Sequence, residues 1–552
     1  MVAVISGLPD PVLQATKELG FDSHSLTWEE LLSIPHRELI NQFSAIICED
    51  YEIPHERAVS VLKNYVGRLG GLLLVYKSEI GAVSKPAEEL LDICGLELRE
   101  ISPGVVLQPG PWVVPEDSPL RSYFDDGVFY ENEIGIFGCP PLVDDYRPVV
   151  PRGCTVLAWS RGIPRITSLA YPSGGIALYA NSAFRLNLIA GNHVLVKPVI
   201  RYALSECARL PRLVPAPDGV SGLVLNMHVC SSAYFPDLRR LLFHRAFDTD
   251  LPMSIHVTAG PDLNYPGDGL GVDIANAFKG RGLILALSRF GTLGAHGGWI
   301  HNYWAYNFNV LPLSIKRAYL AMNIESLAKL SHKPVKEYSA PGGVHDCALD
   351  DFLASKGVRA TIYPFAMHSA PTQRREGLWH FGYTGTRYGL CFENMIGSGC
   401  SDQDIRRSLD ALLRSIVRLR EIRLVYFHPR SLAEKPQLWR EFRDKLERLR
   451  SEGQLQVATA ASFAEWLDRF KAVGFHCFSN PHGTCVEIES KHSLKSVTVE
   501  IPDPNHQLAI PLIIPEGVSI YRVDDCIQIR VDDDCNSLYV MLRRKVNRES
   551  QA

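Results

Sequence analysis

The chain has 552 residues, 46% hydrophobic and 21% charged, with a formal charge of -4 at pH 7. That length exceeds what a single hydrophobic core supports and predicts about three domains. The absence of a basic excess argues against a surface that tracks nucleic-acid phosphates, so a glycan or a sugar-containing small molecule is the better-suited partner.

In chain order, the first part of residues 1–205 alternates short apolar runs (VAVIS, SAIICED, GGLLLVYK) with helical patterns such as PHERAVSVLKNYVGRL, and after roughly residue 100 a stretch rich in Pro, Gly and aromatics leads to further strand-like runs at CTVLAWS and GGIALYAN. This predicts an open α/β sheet domain with parallel strands. The opening MVAVISGLPDPVLQ has neither a basic n-region nor a signal-length apolar run, and no stretch of about 18 apolar residues follows anywhere. The expectation is therefore a cytoplasmic protein without a transmembrane segment. The 13 cysteines, odd in number and without CxxC pairs, suit reduced thiols.

The segment RLPRLVPAPDGVSG reads as a linker, since its prolines break any helix. A second β/α series runs over residues 206–470, from GLVLNMHV to ASFAEWLDRFKAV. Residues 471–552 change to period-two segments (SVTVEI, SIYRV, IQIRV, SLYVML) between turn residues, which predicts a small antiparallel β-sandwich. The fold class is thus α/β and multidomain; homo-oligomerisation stays open.

The residues with chemistry lie in the central series. In GTLGAHGGWIHNYW, His296 and His301 flank two glycines at the end of an apolar run, where two imidazoles could share one metal ion. Upstream, LNMHVC puts His228 and Cys230 two residues apart, on one face at a strand's C-terminal end. Downstream, EYSAPGG follows a long helix, and VYFH ends a strand at His428. Active sites of parallel β/α folds gather at such strand ends. His256, in SIHVTAG, reads as a satisfied interior or mouth residue.

These segments, in this order, resemble the polysaccharide deacetylase family, the NodB-homology domain of carbohydrate esterase family 4, over roughly residues 215 to 470. SHKPVKEYSAPGG resembles the family's GKPVKxFRPPGG pattern, and VYFHPRSL followed by a helix resembles its closing strand. The resemblance implies a (β/α) barrel-like deacetylase domain and hydrolysis of an acetamide, or less often an ester, on a hexosamine-containing glycan. It implies a divalent metal, with zinc suited to a set of His296, His301 and either His228 or Cys230. His428 matches the family's general acid. Its aspartate base has no counterpart here, and His228 is the nearest candidate if Cys230 takes the metal. Trp299 and Tyr338 are candidates to stack on a sugar ring, and Asn302 to orient substrate or a ligand, or to cap the following helix.

The chain departs from the family at several points. The aspartates of the first motif are absent, the two histidines of the second are five apart instead of four, and Ser339 replaces the arginine of the third. YFDDG, Tyr123 to Gly127, matches the family's TFDDG on paper but lies far upstream of His296, so Asp125 and Asp126 read as an ordinary turn. The competing reading is a catalytically inactive protein that binds carbohydrate or a biosynthetic partner; a third keeps the metal and cleaves another amide bond. A nucleotide-linked or lipid-linked sugar would suit an enzyme on the cytoplasmic side. The N-terminal domain weakly resembles class I glutamine amidotransferases but has no G-x-C-x-G elbow, which implies a structural or glycan-binding role.

Overall fold

The structure is a computed structural model that describes residues 1–5, 11–49, 56–77, 85–98, 111–123, 128–130, 149–160, 162–181, 196–247, 250–364, 370–385, 389, 391–480, 482–511 and 513–545. Asp125 and Asp126 lie outside the described residues. The chain divides into two compact units, Met1–Gly219 with Arg469–Ala552, and Val220–Asp468.

The first unit contains a nine-stranded sheet whose parallel part is Ser23–Ser25, Val2–Ile5, Ala45–Glu49, Leu72–Lys77 and Ile176–Asn181. The sheet continues antiparallel through Ile163–Ala170, Thr155–Ser160, Pro111–Val113 and Val128–Tyr130. It is therefore mixed, with antiparallel strands added to the expected parallel ones. The reason is local: Ile163–Ala170 and Ile176–Asn181 are joined by the short turn YPSGG, and only antiparallel neighbours can be joined so tightly. Two antiparallel sheets of four strands follow, one of them holding Thr498–Pro502 and Cys526–Val531 and the other holding Val473–Asn480, Gly483–Ser490 and Ser537–Arg544.

The proline-rich segment read as a linker is partly ordered. Arg212 and Leu213 form a strand against Glu500 and Val499, and the buried Arg212 Nε lies 3.1 Å from Glu500 Oε1. Residues 206–219 are thus tied to the C-terminal strands, and segments predicted as separate domains share one compact unit.

The second unit is built on a curled sheet of nine strands. Its order is Thr372–Arg375, Leu378–Phe381, Ala360–Ile362, Glu337–Ser339, Gly291–His296, Met253–Val257, Ser221–Val229 and Ile422–Phe427, with Leu455–Val457 also pairing with the Ser221 strand. All pairings are parallel except the hairpin between the first two. Just past Leu378–Phe381, Thr384 N donates to Leu424 O at 2.7 Å in the strand at the other end of this path, so the sheet curls into a half-barrel.

Residues along each strand alternate between two faces. Leu223, Leu225, Met227, Val229, Ile255, Val257, Leu293 and Ala295 form one core with Leu320 and Leu327, Leu409 and Leu412, and Trp439 and Phe442. These partners come from the helices Leu313–Ser331, Asp402–Leu419 and Pro436–Ser451, whose apolar stripes cover that face. The opposite face carries Asn226, His228, Ser254, His256, Gly294, His296, Glu337 and Ser339, all but Gly294 being buried polar side chains. Buried polar groups persist only when hydrogen-bonded, which makes this face the place to look for chemistry.

Candidate metal centre

The strand Ser221–Val229 ends just before Cys230, Gly291–His296 ends on His296, and His301 opens the helix His301–Asn307. Between the two histidines Gly297 has φ +67, a backbone geometry that favours glycine. The turn is pinned from the helix layer by Asn323, fully buried, whose Nδ2 donates to Gly297 O at 2.9 Å and whose Oδ1 accepts from Ala259 N at 3.0 Å. One donor atom each from Cys230, His296 and His301 lies within 4.8 Å of the others. His296 Nε2 and His301 Nε2 face each other at 3.1 Å. Two nitrogens bound to one tetrahedral zinc at about 2.0–2.1 Å would be about 3.3 Å apart, close to that separation.

The far ring nitrogens are held. His301 Nδ1 meets Asn302 Oδ1 at 2.7 Å, and Asn302 Nδ2 donates to Asn264 Oδ1 at 2.7 Å. His296 Nδ1 meets Ser339 Oγ at 2.7 Å. Outer partners of this kind fix ring orientation in metal sites. Asn302 thus acts on His301, and Ser339, the family's arginine position, acts on His296.

His428 follows the strand Ile422–Phe427 and precedes the helix Pro429–Glu434. Its Nδ1 lies 3.3 Å from Glu393 Oε1, which also accepts from His428 N and Ser431 Oγ, each at 2.6 Å. Burial raises the Glu393 carboxyl, but hydrogen bonding and charge attraction from His428 outweigh it and hold the group at about 2. Burial lowers His428, and the Cys230 thiolate and Glu393 overcome this to bring it to about 10. Cys230 moves the other way: burial raises it, and His301 and His428 draw it down to about 6. His228 and His296 are held well below the usual histidine value by burial and by neighbouring imidazoles.

His228 lies beside this cluster, its ring centroid 4.3 Å from that of His296 and 5.5 Å from that of His428. Its Nε2 is engaged with Asn226 Oδ1 at 2.6 Å, and it is outside the set of three converging donors. Between the two candidates for the third ligand, the geometry therefore favours Cys230.

Of the two aromatics singled out in the sequence, Tyr338 does not open onto this cluster. Tyr338 is fully buried in the helix-side core, because it alternates with Glu337 and Ser339 and so points to the other face. Trp299 is half-buried against the same core, its backbone carbonyl pressed on Gly260. His256 is fully buried and bonded through both ring nitrogens, to Asn226 and to Glu337. Sequence reasoning passed over Asn226, Glu337 and Glu393. The first two had a legible signal, a polar residue two positions before His228 and before Ser339 and so on the same strand face; Glu393, in CFENM, had none.

No family model matches the sequence, and no curated protein matches it either. Among solved structures, a Mycobacterium smegmatis protein assigned to the polysaccharide deacetylases is 17% identical, with 46% of this chain and 93% of that chain covered and a TM-score of 0.35. An allantoinase is 13% identical, covering 47% of this chain and 94% of that one, at a TM-score of 0.34. A family 4 carbohydrate esterase from Streptomyces lividans, in complex with acetate, is 11% identical over 41% of this chain and 89% of that chain, at a TM-score of 0.26. Likeness at this level decides neither fold nor chemistry. Among the described residues, no helix is long and apolar enough to cross a membrane.

Proposed function

We propose that the unit Val220–Asp468 is a metal-dependent hydrolase that removes acetyl groups from an N-acetylated or O-acetylated glycan or glycan precursor. The observation that carries the reading is the convergence of Cys230, His296 and His301 beside His228 and a glutamate-paired His428, all at C-terminal strand ends. The donor set fits a divalent ion, zinc by preference: two facing imidazole nitrogens and a thiol whose lowered pKa makes it a thiolate at neutral pH. When bound, such an ion supplies Lewis-acid polarisation of the acyl oxygen and acidifies water.

Cys230, His296 and His301 would hold the ion. His228, kept neutral by burial and neighbouring imidazoles, accepts a proton from water at Nδ1. His428 keeps Nδ1 toward Glu393 and donates from Nε2 to the departing amine or alkoxide. Tyr234, stacked on His428 at 5.7 Å, and Tyr426, stacked on His228 at 5.2 Å, restrict both rings. The large sheet of the first unit takes a structural or glycan-binding role.

One experiment tests the ion and the reaction together. Metal content by plasma mass spectrometry is compared for wild type, Cys230→Ser, His296→Ala and His301→Ala, alongside acetate release from N-acetylated oligosaccharides and nucleotide-linked sugars. Near-stoichiometric metal lost in all three variants, with acetate release abolished by His428→Ala, is the expected result. A metal-free wild type would sink the proposal. The binding-only reading draws on one observation, that the converging donor set contains no carboxylate where the family has its aspartates. Bound metal without acetate release from any acetylated substrate would favour it.

A further inference from the structure

The inner face of the sheet holds a chain of polar groups behind His228 that the proposed chemistry leaves unused. Four residues from three neighbouring or near-neighbouring strands take part: Asn226 and His228, His256, and Glu337. Asn226, His256 and Glu337 are 0% exposed and His228 is 3% exposed. His228 Nε2 meets Asn226 Oδ1 at 2.6 Å; Asn226 Nδ2 meets His256 Nδ1 at 2.9 Å; His256 Nε2 meets Glu337 Oε2 at 3.2 Å. Glu337 Oε1 accepts from Ala461 N at 2.8 Å, in the first turn of the helix Ala460–Lys471, where a carboxylate complements the helix dipole.

The direction of every hydrogen in this chain follows from one carbonyl. Asn226 also lies 3.0 Å from Ser254 O, which only accepts, so the atom facing it must be the amide nitrogen. That orientation leaves Oδ1 to accept from His228, which must carry hydrogen on Nε2. The second hydrogen of Asn226 Nδ2 points to His256 Nδ1, which must accept it, so His256 carries its hydrogen on Nε2 and donates to Glu337. Flipping the Asn226 amide would set two acceptors against each other at Ser254 and is excluded on the same ground. Space for the chain is provided by Gly294: a Cβ there would fall 1.9 Å from His256 Cδ2 and 2.3 Å from its Nε2.

We infer that Glu337, His256 and Asn226 are positioning residues that lock His228 in the tautomer with hydrogen on Nε2, leaving its Nδ1 lone pair for the donor cluster. The role of that lone pair rests on the reading of His228 as the base; the tautomer does not. Glu337→Gln breaks the chain at its far end, since Ala461 N and His256 Nε2 donate to different carboxylate oxygens and the amide nitrogen that replaces one of them cannot accept. Asn226→Ala breaks it at the near end by removing the acceptor of His228.

The test is long-range proton–nitrogen correlation on the full chain labelled with 15N-histidine, the His228 signals being assigned by their loss in His228→Gln. Wild type is expected to show one His228 form, protonated at Nε2, and Glu337→Gln and Asn226→Ala a mixture of forms. In the acetate-release assay the same two variants are expected to lose roughly 10–100-fold in kcat, as outer-shell changes do, with KM little altered. A wild-type His228 protonated at Nδ1 overturns the inference even if neither variant folds, and so does an unchanged single form in both variants. A locked His228 in a protein that releases no acetate supports the positioning chain while removing the deacetylase reading.

Discussion

Glu393→Gln keeps the shape of a side chain that anchors His428 and removes its charge. The Glu393 carboxyl is held at about 2 against an ordinary 4.5. With about 1.4 kcal/mol per pKa unit, the ceiling on its stabilisation at neutral pH is about 3 kcal/mol. The side chain is 29% exposed, so solvent screening brings the expectation to about 1–2 kcal/mol. Because the folded value lies below the unfolded one, this stability is present above the ordinary carboxylate range and is lost as pH falls toward the folded value. Urea unfolding of wild type and Glu393→Gln, from neutral pH down to about pH 3, should therefore show a stability gap that narrows with acidification. The glutamine carbonyl can still accept from His428 N and Ser431 Oγ, so the pH-dependent part of the gap reports the charge alone. A gap that stays constant or widens toward acid refutes the argument that the carboxylate charge holds His428 in place.

Three further outcomes follow from the same geometry. In metal-stripped protein, alkylation of Cys230 by iodoacetamide, followed by peptide mass spectrometry, should rise with a midpoint near the thiol's value of about 6, and added zinc should suppress it; a midpoint in the ordinary thiol range would remove the His301 and His428 contribution. Asn302→Ala frees His301 Nδ1 and should weaken zinc binding about 10–100-fold in a competition titration with a chromophoric chelator, with little loss of fold. Tyr338→Ala should cost about 3–5 kcal/mol in urea unfolding through the cavity it leaves in the helix-side core, while Tyr338→Phe keeps both stability and acetate release. A loss of release in Tyr338→Phe at unchanged stability would return Tyr338 to the site.

Much of this was legible in the sequence because local patterns carry it. Strand-ending histidines in GTLGAHGGWIH and VYFH mark their own positions, since apolar runs define the strands and parallel β/α units put chemistry at strand C-termini. The period-two alternation of LNMHV already separates Asn226 and His228 from Met227 and Val229. Only the tertiary structure separates Cys230 from His228 as the proposed partner of His296 and His301, because both sit at the same strand end and the difference lies in which donor atom comes near the facing nitrogens. The same holds for Tyr338, whose face is set by the register Ala295 to Tyr338 and His296 to Ser339. Glu393 reaches His428 across 35 residues, and the buried chain from Glu337 to His228 joins residues 109 positions apart in total. Hydrogen bonds of that span leave no periodicity behind, so the sequence names the strands and their polar positions, and the sheet order alone decides which of those positions meet.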